Sequence, residues 1–124
     1  MNDHYHVSKS WGSEIWFANN DLYCGKELHV HKNRTSSDGK FHYHKIKDET
    51  FYIMSGMLFL EYFNYDYQTG GKNKVESVIL SKGDSFRVPQ LMRHRFTAMH
   101  RDCRFIEVST HHEDSDSYYN TEFI

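Results

Sequence analysis

Apolar residues recur along this chain in short runs of four to nine residues, rich in Phe, Tyr, Ile and Val, with no sustained helical period. The pattern predicts strands over approximately 14–18, 26–31, 40–44, 50–55, 57–65, 75–80, 85–88, 94–99 and 104–110. Turn-forming clusters separate them: Asn19-Asn20-Asp21, Ser36-Ser37-Asp38-Gly39, Lys47-Asp48, Ser55-Gly56, Thr69-Gly70-Gly71 and Ser81-Lys82-Gly83-Asp84. Many short strands at close spacing point to an all-β antiparallel sandwich or barrel, without the crossover helices of a parallel sheet. Residues 1–10 read as an N-terminal arm and 111–124 as an acidic C-terminal tail of one domain spanning 1–124.

Alternation assigns faces within these strands. Lys26, Leu28 and Val30 share one side, and Glu27, His29 and His31 the other. Phe51 and Ile53 oppose Tyr52 and Met54, so both faces of that strand are apolar. One face then lines the interior and the other meets a second sheet or a second subunit, which predicts a homodimer.

Composition narrows the function classes. With 15 Lys+Arg against 17 Asp+Glu, the net charge of −2 lacks the basic footprint of a nucleic-acid binder. The longest apolar run, Met57-Leu58-Phe59-Leu60, is far short of the ~20 residues that cross a bilayer, so no membrane partner is expected. Cys24 and Cys103 lie far apart without a C-x-x-C pair, and the first residues carry no basic-then-apolar signal. Both features predict free thiols and a cytoplasmic location.

Ten histidines are present, and position decides which carry chemistry. H-x-H occurs at His4/His6, His29/His31 and His42/His44. Residues two apart in a strand share a face at about 6.6 Å, close enough to converge on one ion. His4/His6 and His111/His112 read as solvated terminal residues, and His29/His31 as an exposed pair. His42/His44 differs because Glu49 follows: a turn near Lys47-Asp48 would bring that carboxylate to the same face, and Gly56 then supplies a positive φ for a hairpin. A distant segment, GDSFRVPQLMRHRF, adds His94 after a ladder-stopping Pro89. Three imidazoles and one carboxylate would leave two positions of an octahedral divalent ion (Zn, Mn, Fe, Co or Ni) open.

These two segments resemble the paired motifs of the cupin superfamily. The first, G-x5-H-x-H-x3,4-E-x6-G, is met by His42, His44, Glu49 and Gly56, with Gly39 three rather than six positions before His42. The second, G-x5-P-x-G-x2-H-x3-N, is met by Gly83, Pro89 and His94, and departs at Leu91 and Ala98. The resemblance implies a small jelly-roll barrel whose metal is held by His42, His44, Glu49 and His94. A looser likeness, through Trp11-Gly12, Lys26 and Ile106-Glu107-Val108 followed by Glu113-Asp114, is to the cupin domain of type II mannose-6-phosphate isomerases.

That likeness implies a metal-dependent aldose–ketose isomerase for a sugar or sugar phosphate. Glu49 or Glu107 would be its proton carrier, and Lys26, if inward, would bind the phosphate. Glu107 follows Phe105 into the barrel if that ring points inward; otherwise it is a surface partner for Arg104 or another neighbour. Arg95, on the face opposite His94, is expected outside. Oxygen chemistry at the same metal and sugar binding without turnover are the alternatives.

Overall fold

The computed structural model describes residues 4–66 and 72–120. Its strands are β1 (Tyr5–Lys9), β2 (Gly12–Asn19), β3 (Cys24–Val30), β4 (Phe41–Tyr43), β5 (Glu49–Ser55), β6 (Met57–Asp66), β7 (Lys72–Ser81), β8 (Ser85–Val88), β9 (His94–Ala98), β10 (Cys103–Ser109) and β11 (Tyr118–Asn120). They form a six-stranded sheet ordered β1-β2-β3-β10-β5-β8 and a five-stranded sheet ordered β11-β4-β9-β6-β7. All named pairings are antiparallel. The all-β antiparallel architecture predicted from the pattern is therefore observed, in the two-sheet jelly-roll form that the resemblance implies.

Alternation along four strands builds two layers between the sheets. At one end lie Leu28 and Val30 of β3, Phe51 and Ile53 of β5, Phe96 and Ala98 of β9, and Phe105 of β10, joined by Trp11, Leu58 and Leu60. Phe51, Phe96 and Phe105 pack mutually with ring centroids 4.8 to 6.0 Å apart, and Trp11 meets Phe96 edge-on at 5.3 Å. Burying each such ring contributes roughly 1.5–3 kcal/mol. Two residues earlier in β3, β5 and β9, and two later in β10, the same inward face carries Lys26, Glu49, His94 and Glu107. An apolar floor thus supports a charged upper layer.

The ends of the chain differ from expectation. Residues 5–9 are paired with β2 rather than forming a free arm, and 111–120 dock through a short 3-10 turn at Asp114–Asp116 and the pairing of β11 with β4. Both edge strands are short and largely polar, so no apolar alternation announces them. The strand expected over 40–44 ends at Tyr43, because His44 leaves the ladder for the turn that follows. β8 ends at Val88, where Pro89 removes the next donor. The turn expected at 69–71 lies outside the described residues.

Tyr52 and Met54 point outward and remain exposed, so the second sheet covers only the opposite face of β5. Cys24 and Cys103 are both free and buried. No helix among the described residues is long and apolar enough to cross a membrane.

Gly56 adopts φ +79°, as the hairpin between β5 and β6 requires, and a Cβ there would lie 2.4 Å from the Asp102 carbonyl oxygen. Gly56→Ala should destabilise the protein by at least about 1–2 kcal/mol, the cost of the left-handed conformation alone, read as a lower denaturation midpoint at unchanged slope.

Candidate functional site

His42 on β4 stands in register opposite His94 on β9, and His44 follows one turn of chain beyond His42. One ring nitrogen from each of these three residues lies within 4.8 Å of the other two. The rings are oriented from behind. His44 Nδ1–H donates to the Asp116 carbonyl at 2.8 Å, and His94 Nδ1–H donates to the Met92 carbonyl at 3.0 Å. Each imidazole therefore aims its Nε2 lone pair into the cavity.

Protonation does not block those lone pairs. Burial, reinforced by the neighbouring His94 and His44, pushes the His42 pKa well below the ordinary imidazole value. Burial and the nearby Lys47 ammonium lower that of His44 to about 4. Both rings are neutral at physiological pH.

Glu49, at the start of β5, completes the cluster. Its Oε1 lies 3.2 Å from His94 Nε2 and its Oε2 lies 3.6 Å from His44 Nε2. His94 is fully buried and its Nε2 has no hydrogen-bond partner. A buried lone pair set against a carboxylate is costly unless a cation lies between them. The donor set of three imidazoles and one carboxylate fits a divalent transition metal.

A residue that the sequence reading treats only as part of a turn stands at the centre of the site. The Lys47 side chain is 3% exposed, and its Nζ lies 2.9 Å from Glu49 Oε2. It donates to Glu107 Oε2 at 3.1 Å and to His112 Nδ1 at 3.2 Å. Burial opposes its charge, but the Glu107 and Glu49 carboxylates outweigh that and raise the Lys47 pKa. For Glu49 burial is likewise overcome, by Lys47 and His94, and the carboxyl falls well below its usual range. Glu107 goes the other way. Its burial outweighs the Lys47 attraction and raises its pKa.

The turn carrying Lys47 is held by the C-terminal segment. The buried Asp116 carboxylate accepts from the backbone N–H groups of Lys45 at 3.0 Å, Ile46 at 3.2 Å and Lys47 at 3.0 Å. His112, expected in solvent, is buried instead. Its Nε2–H donates to Asp114 at 2.9 Å while Nδ1 accepts from Lys47. Burial and Lys47 lower its pKa to about 4, so it too is neutral. A segment of acidic residues without periodicity reads as a tail; only the fold shows Asp116 serving as an internal cap.

The other predicted residues fall as follows. Lys26 points inward, 3.6 Å from Glu14 and 4.2 Å from the centroid of the Trp16 ring. Glu107 is also inward and its partner is Lys47, whereas Arg104 pairs with Glu27. Arg95 is paired with Glu61 on the opposite face from His94. His4 and His6 are exposed. The cavity, about 210 Å³, brings His42, His44, Glu49, Lys47, Glu107 and Lys26 to one wall system, with Trp16 and Tyr5 toward its mouth.

No protein-family model and no curated protein sequence matches this chain. Solved structures do. KdgF from Halomonas sp. superposes with a TM-score of 0.67 at 18% identity, over 92% of this chain and 90% of that one. The capsular polysaccharide assembling protein CapF from Staphylococcus aureus superposes with a TM-score of 0.78 at 17% identity, over 96% of this chain and 32% of CapF. Oxalate decarboxylase from Bacillus subtilis gives 0.75 at 14% identity, over 94% of this chain and 30% of that enzyme. The chain has the cupin jelly-roll fold, and it spans about a third of the length of the last two proteins.

Two measurements check this arrangement. Lys47→Met leaves two buried carboxylates without their cation and should cost about 3–5 kcal/mol, read by chemical denaturation. Asp116 also predicts a pH effect. Burial would raise its carboxyl, but bonds from the Lys47, Lys45 and Ile46 N–H groups lower it below 3.8. Its stabilisation is therefore present above pH 3.8 and lost as pH falls through the depressed value. Asp116→Asn should flatten the fall in stability below pH 3.8, measured by denaturant titration across pH.

Proposed function

We propose that this protein is a metal-dependent cupin that interconverts an aldose and a ketose, with a sugar or sugar phosphate as substrate. The observation that carries the reading is the convergence of His42, His44 and His94, with Glu49 against His94, beside a cavity that Glu49 and a second buried carboxylate, Glu107, help to line. A divalent ion held by the first four would supply a Lewis acid for two adjacent substrate oxygens and for the negative charge that develops on them. The remaining steps belong to the chain.

Glu107 is the proton carrier of this reading: it takes the proton from C2 and returns it to C1. Glu49 is less suited, since Lys47 already holds its Oε2 at 2.9 Å. Lys47 orients Glu107 and balances its charge before the proton is taken and again once it has been returned. Lys26, neutralised in part by Glu14 and stacked on Trp16, offers donors to substrate hydroxyls or to a phosphate, and the Trp16 ring supplies an apolar face for the sugar. Support for a carbohydrate ligand comes from the cupin fold shared with a capsular polysaccharide assembling protein and from the sequence likeness to type II mannose-6-phosphate isomerases.

The hold of Lys47 on both carboxylates favours one second reading, a sugar-binding cupin without turnover. The working unit would be a homodimer formed through the outer face of the six-stranded sheet, where Tyr52, Met54 and Val108 are exposed. A cytoplasmic setting suits its two free thiols.

Metal-loaded protein should interconvert mannose 6-phosphate and fructose 6-phosphate, or the corresponding free sugars, in a coupled assay. Glu107→Gln should lower kcat by about 10²–10⁴ with its metal retained, and His42→Ala should lose the metal. Saturable sugar binding with no turnover across the panel would replace the isomerase by the binding protein.

A further inference from the structure

We propose a second divalent-metal site on the outer surface, formed by His29, His31 and Asp102. It stands independently of the cavity and of the reaction proposed for it. Alternation in β3 turns Lys26, Leu28 and Val30 inward and leaves His29 outward; His31, just past the strand end, is exposed with it. Their rings lie 5.2 Å apart. Pairing of β10 with β3, which sets Cys103 opposite Val30, carries the preceding Asp102 to the same place.

Asp102 is held before any ion arrives. Its Oδ1 accepts from the Lys32 backbone N–H at 2.8 Å, which leaves Oδ2 aimed at the histidines. Oδ2 lies 2.9 Å from His29 Nε2 and 3.8 Å from His31 Nδ1, and one donor atom from each of the three residues lies within 4.8 Å of the others. A tetrahedral ion with bonds of about 2.0–2.2 Å needs its donors roughly 3.3 Å apart. The observed separations bracket that value, and three half-exposed side chains can close the difference by small rotations. A simple His29–Asp102 ion pair accounts for one contact but not for the convergence of His31.

Two nitrogens and one carboxylate oxygen suit Zn²⁺, with water in the fourth position, and the same donors bind Cu²⁺ more tightly. Bound there, the ion would clip the end of β3 to the turn that launches β10.

The test uses the full chain, stripped with chelator and titrated with Zn²⁺ by calorimetry, alongside His31→Ala and His42→Ala. His31 is exposed, so its replacement leaves the core intact. Two zinc ions per native chain, and one in each variant, is the expected result. The expected drop in affinity at the lost site is at least tenfold, with loss of the zinc-induced rise in Tm that the site contributes. A native chain that binds one zinc, lost in His31→Ala and kept in His42→Ala, supports the surface site while removing the metal from the cavity. Zinc binding by His31→Ala that equals the native protein in number and affinity overturns the proposal.

Discussion

The Lys47 ammonium, set among carboxylates and imidazoles inside the barrel, sets the terms for the groups it touches. Lys47 lies against both carboxyl groups that β5 and β10 deliver to the interior, Glu49 and Glu107. Each of these charges would be expensive alone, and Lys47 offsets part of that cost by reaching both carboxyl groups. Burial and the same lysine lower the affinity of His44 and His112 for protons, which leaves the His44 Nε2 lone pair available. Electrostatics of the cavity and availability of the candidate metal-binding nitrogens are thus linked through one side chain.

The fold poses that problem through period-two geometry. In β3, β5, β9 and β10 a single inward face passes from Leu28, Phe51, Phe96 and Phe105 to Lys26, Glu49, His94 and Glu107 within one step of two residues. The aromatic floor is rigid and dry, and it fixes the height of the charged layer above it. Shifting any of these strands by one residue would send its charged group to solvent and an outward side chain into the core. Register and site are therefore specified by the same alternation.

Much of this was legible from the order of residues. His42, His44, Glu49 and His94 announce themselves because ligand chemistry combines with strand spacing, and Gly56 because a hairpin needs a positive φ. Lys47 does not: in the run Lys45-Ile46-Lys47-Asp48 it has the look of a solvated turn, and its inward path depends on Asp116, 69 positions later. His112 and Asp116 are hidden for the same reason, since caps made by irregular segments leave no period. Leu91 illustrates a subtler limit. The cupin pattern expects glycine there, yet the backbone keeps φ +69° with a leucine, and its N–H donates to the His44 carbonyl at 2.7 Å. A motif tests residue identity, while the fold needs the conformation, at a cost of about 1–2 kcal/mol for a side chain with a Cβ.

The pairing order has a temporal consequence. β3 and β5 both lean on β10, and the His44 ring and the Lys47 turn both wait for Asp116. During synthesis, which releases the chain from its N-terminus, the earlier strands of the six-stranded sheet emerge without the strand that joins them. The interior charges then stay hydrated until Asp116 has left the ribosome, and a nascent chain interrupted before that residue would carry His42, His44, Glu49 and His94 without the contacts that hold the Lys47 turn and the His44 ring.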